Sequence, residues 1–468
     1  MRHLLVLFVL VGCGKVTSGA GPDGGAGDGA GVAPGSFVWQ RNLFGSFIDR
    51  VIVTGDQLYL GVSPFAALDL GNGIIVPAGG TDIMAVHYTT DGVLQSAWRH
   101  GAASNENALG FAIDPFGNAA IGVLYDGAGT ANVGGADLPP VPTGTGFPTP
   151  NFEGAAASYT DTGALRWQTP LTATNQLFTR SASTSSNGLT AVTGSFVGAL
   201  TVGQRQVVSN GGNDVFYVAL DDKGGVAALA MFGGAGDDLG YRALFDPLGT
   251  VILVGTFTGK VAFGSFLLDA GTGADLFVVR MTPQGTPMWA IQGGGSRDVG
   301  AALAATTPSG DIILAVAYSG SFQATGGDTV TSNGASDIAL LRVSSAGKAM
   351  WTRSFGGAGA DMPREVAVGR NDEIALSGEF QGQAAFGGDA FTSVGGLDSF
   401  VAKYTGTGAH LWSHAAGSAA VDRGLGIGID GAGAVYQGIS YHGTIDFGGG
   451  PLTAPGTDYG AVLVKYSP

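Results

Sequence analysis

The chain has 468 residues, of which 12% are charged and 84 are glycine, and the glycines follow no Gly-X-Y period, which excludes collagen. The 45% share of hydrophobic residues, including 25 Phe, excludes a disordered chain and allows a large buried core. A net charge of −15 with no Lys/Arg cluster would repel phosphate backbones, so we expect no nucleic-acid partner. The single cysteine excludes a disulfide framework and a cysteine-rich metal site.

The first residues have the features of an export signal. A basic start is followed by an apolar run from Leu4 to Val11, which is too short to span a bilayer. Leu10-Val-Gly-Cys13 resembles the lipobox of bacterial lipoproteins, in which the cysteine is acylated. We therefore predict a lipoprotein signal peptide at 1–12 and lipid attachment at Cys13; a signal peptide with a chance cysteine is the alternative.

The segment that follows Cys13 has the composition of a flexible linker. Residues 13–35 are rich in Gly, Ala and Asp and cannot bury enough apolar surface to order themselves, which predicts a flexible tether. Together with the signal, this tether predicts an exported protein in the bacterial cell envelope, at the outer membrane or cell surface. We expect it to contact the membrane through the lipid anchor only.

The remaining residues, 36–468, repeat a unit of about 61 residues. In each copy an acidic residue opens an apolar strand that ends at a glycine turn. The acidic residue recurs at Asp82, Glu153, Asp214, Asp275, Asp337, Asp398 and Asp458, with spacings of 71, 61, 61, 62, 61 and 60. A tryptophan follows the turn at Trp98, Trp167, Trp289, Trp351 and Trp412, with Ala228 in the remaining copy and Trp39 before the first.

Each copy contains four predicted strands, A to D. In the copy at 241–289 these are Tyr241–Phe245, Val251–Phe257, Asp275–Met281 and a strand around Trp289, separated by Pro/Gly turns. Seven such copies predict an all-β fold, a seven-bladed β-propeller of four-stranded blades. The chain stops after a strand C and starts with a strand D around Trp39, so we expect the N-terminal strand to complete the last blade and close the ring. An open solenoid would instead need capping repeats, and none is visible.

Several of these segments occur in the order of a known repeat. Gly233-Gly-Ala-Gly-Asp-Asp238, Asp246-Pro-Leu-Gly249, Gly255-Thr-Phe257 and 275–289 resemble the bacterial SBBP-type β-propeller repeat family, and the resemblance covers 36–468. Glu153-Gly-Ala155 and Ala228 depart from its pattern. The resemblance implies a secreted or surface-displayed structural and interaction module without shared catalytic residues.

The strand order also sorts the loops between two faces. The A–B and C–D turns share one face and are short, whereas the B–C and D–A loops share the other and are long. A proline-rich insertion, Pro139–Pro150, lies in one B–C loop. Because binding residues concentrate on long loops held by a rigid scaffold, we predict ligand binding on the long-loop face.

An acidic residue recurs on that face shortly before strand A. The candidate ligand- or cation-binding residues are Asp49, Glu106, Asp237, Asp238, Asp298, Asp361 and Asp422, with Asn175 in the remaining copy. We expect them around the mouth of a central channel, where they could hold Ca²⁺, which takes six to eight oxygen ligands, or a cationic or polyhydroxylated ligand. In the alternative interpretation each acid caps its own turn or ties neighbouring blades together through backbone N–H groups.

No catalytic signature is present. The chain lacks Gly-x-Ser-x-Gly, His-Glu-x-x-His and a phosphate-binding Gly-rich loop, so we predict no catalytic residue and no cofactor other than the candidate Ca²⁺. The first hypothesis is a monomeric, lipid-anchored binding module for a protein or glycan. The second is an enzyme that acts on extracellular polysaccharide or peptide through a carboxylate site at the channel mouth, and the third is a structural envelope component. An enzyme would need two or three unlike groups in one pocket.

Overall fold

The computed structural model describes residues 33–127, 129–141, 152–297, 299–456 and 459–468. The signal peptide, Cys13, most of the tether, Asp298, Asp458 and residues 142–150 of the insertion lie outside the described residues. Within the described ranges every helix or strand that is assigned is a β-strand. No helix in those ranges therefore has the length and apolar character needed to cross a membrane.

The strands, in chain order, are β1 (Phe37–Asn42), β2 (Ser46–Thr54), β3 (Gln57–Pro64), β4 (Leu68–Asp69), β5 (Ile74–Ile75), β6 (Ile83–Thr89), β7 (Leu94–His100), β8 (Glu106–Ile113), β9 (Ala119–Asp126), β10 (Phe152–Tyr159), β11 (Leu165–Ala173), β12 (Gln176–Thr184), β13 (Thr190–Val197), β14 (Ala199–Val202), β15 (Arg205–Val208), β16 (Asp214–Leu220), β17 (Val226–Phe232), β18 (Asp238–Phe245), β19 (Val251–Phe263), β20 (Phe266–Met281), β21 (Pro287–Gly295), β22 (Val299–Thr306), β23 (Ile312–Tyr318), β24 (Ser321–Ala324), β25 (Thr329–Thr331), β26 (Asp337–Val343), β27 (Ala349–Gly357), β28 (Met362–Val368), β29 (Ile374–Phe380), β30 (Gln383–Ala385), β31 (Ala390–Thr392), β32 (Asp398–Tyr404), β33 (His410–Ala416), β34 (Arg423–Ile429), β35 (Val435–Tyr441), β36 (Thr444–Asp446), β37 (Pro451–Thr453) and β38 (Gly460–Tyr466).

Six antiparallel sheets contain four repeat strands in the order A, B, C, D. They are β2-β3-β6-β7, β8-β9-β10-β11, β12-β13-β16-β17, β18-β19-β20-β21, β22-β23-β26-β27 and β28-β29-β32-β33. This arrangement confirms the prediction of an all-β propeller with four-stranded blades. A further four-stranded sheet joins β34, β35 and β38 to β1 from the start of the described chain, with Trp39 opposite Lys465 and Arg41 opposite Leu463.

In five of the A–B turns a glycine N–H donates to the carbonyl of an acidic or polar residue three positions earlier, which closes a short turn. Between β18 and β19 the Gly249 N–H donates to the Asp246 carbonyl at 3.0 Å. The Asp246 carboxylate accepts the N–H groups of Leu248 and Thr250 at 3.0 and 2.8 Å. Gly249 has a φ of +78°, a conformation that favours glycine. A tight turn therefore connects the innermost strand of this blade to the next strand.

Several of the B–C segments are paired strands and not free loops. β19 and β20 continue beyond the predicted strands and pair as far as Phe263 and Phe266. In three other copies the segment forms a hairpin that pairs with the outer strand of the preceding sheet: β14–β15 on β11, β24–β25 on β21, and β30–β31 on β27. These hairpins cover strand edges that would otherwise expose unpaired backbone groups.

The tryptophans fill the core between neighbouring sheets. Trp289 Nε1 donates to the Ser345 carbonyl at 3.1 Å, and Trp351 Nε1 donates to the Gly406 carbonyl at 3.2 Å, both in the C–D turn of the following sheet. In each case the ring also packs against the glycine of that turn. The packed pairs are Trp98–Gly163, Trp167–Gly224, Trp289–Gly347, Trp351–Gly408 and Trp412–Gly35. The recurring tryptophan therefore connects successive sheets.

Candidate functional site

The strands labelled A surround one cavity of about 330 Å³. Its walls come from β2, β8, β12, β18, β22, β28 and β34, and they use the second half of each strand. The cavity therefore lies at the end of these strands nearest the A–B turns, on the face opposite the long loops. A volume of this size lies in the range of small-molecule sites, roughly 300–1,000 Å³.

A register irregularity occurs at the same place in each of these strands. In β2 the pairing skips Asp49, in β12 it skips Arg180, and in β18 it skips Tyr241; the other four strands carry equivalent shifts. Bulges of this kind redirect side chains and often occur beside functional sites. The residues that follow the irregularity in six of the strands are Arg50, Gly110, Ser181, Arg242, Ala302 and Glu365.

Three charged side chains meet at the level of these bulges. Glu365 Oε2 accepts hydrogen bonds from Arg50 Nη1 and from Arg242 Nη2, each at 2.6 Å. The side chains are 19% (Arg50), 6% (Arg242) and 10% (Glu365) exposed. Hydrogen bonds between charged groups are shorter and stronger than neutral ones. The cavity thus contains two guanidinium groups for one carboxylate, a local positive excess in a chain of net charge −15.

Further contacts hold these side chains in place. Arg50 also donates to the carbonyls of Asp49 at 3.1 Å and Leu109 at 3.4 Å. The second carboxylate oxygen of Glu365 accepts the N–H of Val366 at 3.2 Å. Burial raises the pKa of the Glu365 carboxyl, and the charge of Arg50 opposes that change. The cluster is consequently fixed by three different strands, β2, β18 and β28.

A second group of polar side chains lies at the bulges themselves and does not line the cavity. Asp49 accepts the hydroxyl of Ser63 at 2.6 Å, and burial raises its pKa to about 6. The Arg180 guanidinium lies 5.6 Å from the ring centre of Phe178 and 5.2 Å from that of Tyr241, and burial lowers its pKa. The cation–π contacts compensate part of the cost of burying that charge.

Four of the predicted acids lie at the start of strands of type A. Glu106 and Asp238 are the first residues of β8 and β18, and Asp361 and Asp422 immediately precede β28 and β34. All four are fully buried. Their carboxylates accept backbone N–H groups: Ala102 to Glu106 at 3.1 Å, Gly234 to Asp238 at 2.7 Å, Gly357 to Asp361 at 2.7 Å and His442 to Asp422 at 2.9 Å.

These positions correct the expectation that the acids surround an open channel mouth. The carboxylates turn toward the loops between sheets because unpaired N–H groups there need acceptors, and none of them lines the central cavity. Among the described residues, no group of three or more His, Cys, Asp or Glu side chains is placed to share a metal ion. A cation or ligand role for these residues stays a prediction.

The other predicted positions differ from this group. Asp49 lies inside β2, and Ser46 takes the first position of that strand, where its hydroxyl donates to the Leu43 carbonyl at 2.7 Å. Asp237 is exposed and accepts the N–H of Asn213 at 2.9 Å. Asn175 lies just outside β12. Counting residues from the tryptophan aligns Asp49 with the acids that start the other A strands. The D–A loops differ in length, however, and Ser46 is the residue at that position.

The charged cluster is marked in the sequence by its position in the repeat, although it matches no catalytic motif. Arg50, Arg242 and Glu365 each lie four residues after the first position of the strand A pattern, held by Ser46, Asp238 and Asp361. Other copies have Gly110, Ser181 or Ala302 there. Three charged residues at a repeat position that otherwise holds a small residue distinguish these copies from the rest of the repeat.

Comparisons with known proteins identify no family. No family model matches the chain, and no curated protein matches it. Among solved structures, a protein of unknown function from Dyadobacter fermentans aligns with a TM-score of 0.41 and 11% identity over 92% of this chain and 98% of that chain. A polysaccharide lyase described as an ulvan lyase gives 0.40 and 11% over 87% and 92%. The PQQ-bound aldose sugar dehydrogenase of Streptomyces coelicolor gives 0.33 and 11% over 76% and 93%.

Proposed function

We propose that the sheets form a closed ring of seven blades, the last of which is completed by β1. The pairing of β1 with β38 supports this. Across the junction to the β6–β7 turn, Arg41 Nε donates to the Gly92 carbonyl at 2.9 Å and Lys465 Nζ donates to the Thr90 carbonyl at 3.0 Å. β34 also packs against β2. A closed ring encloses the central cavity on all sides.

We propose that the protein is a binding module whose ligand presents an acidic group to Arg50 and Arg242 in this cavity. The observation that carries the proposal is the pair of guanidiniums on the single carboxylate of Glu365. The known hydrogen bond of Arg242 to Glu365 uses one of its five N–H donors. Guanidiniums bind carboxylate, sulfate and phosphate groups through paired donors, so such a group fits beside Glu365.

The rest of the wall favours a hydroxylated ligand. Ser181, Ser183, Thr184 and Thr306 line the same cavity. Serine and threonine hydroxyls both donate and accept hydrogen bonds, so they suit a ligand that carries hydroxyl groups. The proposed ligand is therefore a small sugar acid or the acidic residue of a glycan.

The enzyme hypothesis receives less support from the cavity. Acid–base catalysis on a glycosidic bond commonly uses two carboxyl groups. Among the described lining residues, Glu365 is the one with a carboxyl side chain, and both neighbouring guanidiniums bind it. Recognition of a charged group, with no bond broken, is the function that this arrangement supports best.

We further propose that this module is exported and held at the bacterial envelope by lipid on Cys13. The supporting observation is the sequence pattern of 1–13 and the tether that follows. The resemblance to SBBP-type repeats points to the same setting. Membrane fractionation of the full chain and of Cys13→Ser tests this: the substitution should move the protein from the membrane to the soluble fraction, and retention would contradict lipidation at this residue.

Calorimetric titration with galacturonate and with galactose tests the ligand class, because the two differ at the acidic group. We expect galacturonate to bind and galactose to bind at least tenfold more weakly. Arg242→Lys keeps the charge but removes the guanidinium fork, and should weaken galacturonate binding about tenfold or more. Arg205→Lys, on the exposed strand β15, is the matched control and should leave binding unchanged. Equal binding of both sugars, or no effect of Arg242→Lys, would contradict the proposal.

A further inference from the structure

Among the described residues, four junctions between successive sheets contain two buried acids: Asp82 with Glu106, Asp214 with Asp238, Asp337 with Asp361 and Asp398 with Asp422. In two of these pairs both residues have a buried oxygen without a hydrogen-bond partner. In one, Asp214 at the start of β16 faces Asp238 at the start of β18; in the other, Asp337 at the start of β26 faces Asp361 just before β28. All four residues are 0% exposed. Each pair therefore lies where one sheet leads into the next.

Within each pair the carboxyl groups converge. Burial raises the pKa of the Asp238 carboxyl, and Asp214 lies close enough that its charge raises that pKa further. At the other junction, a Cβ atom built on Gly356 would lie 2.6 Å from Asp361 Oδ2 and 2.9 Å from Asp337 Oδ1. The Oδ1 atom of each of the four residues is buried without a hydrogen-bond donor. Each of the two junctions thus brings two carboxyl groups together, and each carboxyl group has one buried oxygen without a hydrogen-bond partner.

The remaining neighbours supply N–H groups but no positive side chain. Asp214 accepts the N–H of Asn210, Asp238 that of Gly234 at 2.7 Å, Asp337 that of Asn333 at 2.9 Å and Asp361 that of Gly357 at 2.7 Å. The other titratable neighbours are Asp237 beside the first pair and Tyr318, opposite Asp337 in the sheet. Among the described residues, no Lys, Arg or His forms an ion pair with any of the four carboxylates.

At another junction the charge of the buried acids is neutralised by a basic side chain. Asp82 occupies the same repeat position as Asp214, and Arg99 forms an ion pair with its carboxylate. The next strand begins with Glu106, so this junction also contains two buried acids. A side-chain cation therefore neutralises the charge at this junction. At the junction of Asp398 and Asp422, the Oδ1 atom of Asp422 accepts the His442 N–H at 2.9 Å. In the described part of the chain, the Asp214–Asp238 and Asp337–Asp361 junctions have no cation, and no donor reaches their Oδ1 atoms.

We propose that each of the pairs Asp214–Asp238 and Asp337–Asp361 binds one proton, shared in a hydrogen bond between the facing oxygens. Two buried negative charges at one junction, with no cation beside them, are strongly unfavourable. One proton removes one of these charges and supplies a hydrogen-bond donor. The surrounding N–H groups favour this over Ca²⁺, which takes six to eight oxygen ligands. Folding of the ring then takes up one proton at each pair.

The proton makes the stability of the ring depend on pH. Burial and the facing acid raise the pKa of Asp238 to about 7 and that of Asp361 to about 6, whereas an unfolded aspartate titrates near pH 4. A folded-state pKa above the unfolded one gives stability that is present below about pH 4 and is lost as the pH rises through 6 to 7. Between about pH 4 and the folded-state pKa of 6 to 7, the unfolding equilibrium constant rises by up to about tenfold per pH unit for each pair.

The experiment compares melting temperatures of the full chain, Asp238→Asn and Asp361→Asn between pH 4.5 and 8.5. Asparagine can donate to the facing carboxylate without a shared proton. We expect each variant to match the wild type at pH 4.5 and to melt at a higher temperature at pH 8.5. Asp82→Asn is the matched control and should melt at a lower temperature than the wild type at pH 8.5, because it removes the ion pair with Arg99.

Two results would overturn the proposal. The first is that Asp238→Asn and Asp361→Asn lower the melting temperature by the same amount at both pH values, which would show that no proton is shared. The second is that CaCl₂ raises the melting temperature of the wild type but not of these variants, which would show a bridging cation. A variant that fails to fold at either pH also contradicts the proposal, because asparagine preserves the hydrogen bond that the proton supplies.

Discussion

Trp412 on β33 packs against Gly35, which precedes β1. A Cβ atom built on Gly35 would lie 2.8 Å from Trp412 Cδ2, and its φ is +76°. The same contact joins Trp289 to Gly347 and Trp351 to Gly408 within the continuous part of the repeat. The start of the described chain is therefore joined to β33 by the Trp–Gly contact that also joins neighbouring sheets elsewhere.

Gly35→Ala should destabilise the protein more than Gly55→Ala. Both glycines have positive φ, so each substitution costs about 1–2 kcal/mol of backbone strain. Gly55 has open space around the missing Cβ, whereas a Cβ on Gly35 would overlap Trp412, and overpacking adds roughly 1–3 kcal/mol. Urea denaturation measures the difference, and equal effects of the two substitutions would show that the Trp412 contact contributes nothing.

Gly233→Ala should also be destabilising, for a different reason. The carboxylate of Asp214 occupies the space that a Cβ atom would need at Gly233, so we expect a loss of roughly 1–3 kcal/mol of unfolding free energy. Gly431→Ala is the control, since no atom outside its immediate neighbours lies closer than 3.9 Å to its built Cβ. A loss at Gly431 as large as that at Gly233 would contradict this account of the repeated glycine.

Glu153→Gln should stabilise the protein at neutral pH. Burial raises the pKa of Glu153 to about 8, and both of its oxygens accept the N–H of Ala173. Because the folded-state pKa exceeds the unfolded one, wild-type stability falls between about pH 4.5 and 8. Each pKa unit corresponds to about 1.4 kcal/mol, so the variant should gain on the order of 3 kcal/mol at pH 7 and little at pH 4.

The measurement is the melting temperature of both proteins across that pH range. Gln206→Glu, on the exposed strand β15, is a control that should leave the profile unchanged. If Glu153→Gln shifts the curve equally at pH 4 and pH 7, the carboxyl group does not titrate as the burial requires.

Glu365→Ala should be strongly destabilising. It leaves Arg50 and Arg242 in a partly enclosed site without their shared acceptor, and breaking a buried ion pair costs about 3–5 kcal/mol. Replacing Glu365, Arg50 and Arg242 together by Met should recover much of that loss, because apolar replacement removes all three charges at once. Denaturant titration of the single and triple variants tests this, and a triple-variant loss equal to the sum of the single losses would show that the residues act independently.

Much of the fold could be predicted from the sequence because it is repeated. Seven copies in register show Trp289, Asp275 and the glycine turns as a pattern that no single copy would reveal. The hairpins on the outer edges could not be predicted, because each pairs with the outer strand of the preceding copy of the repeat. The bulge at Tyr241 could not be predicted either, because it depends on the register between β18 and β19. In these copies the expected long loops are hairpins.

The candidate site was harder to predict than the fold. The recurrence of Asp238 and Asp361 directed attention to the acids, whose carboxylates cap buried loops. Arg50, Arg242 and Glu365 each occur once and become neighbours only when strands from three blades surround the cavity. A residue that departs from the repeat at a cavity-facing position is therefore the better guide to function here, because repetition itself mainly reflects packing.

The most direct test is a crystal structure of the protein soaked with galacturonate. We expect the sugar to lie in the central cavity, with its carboxylate within hydrogen-bonding distance of Arg50 and Arg242. An empty cavity at a galacturonate concentration that saturates the protein in calorimetry, or the sugar bound among the long loops instead, would contradict it.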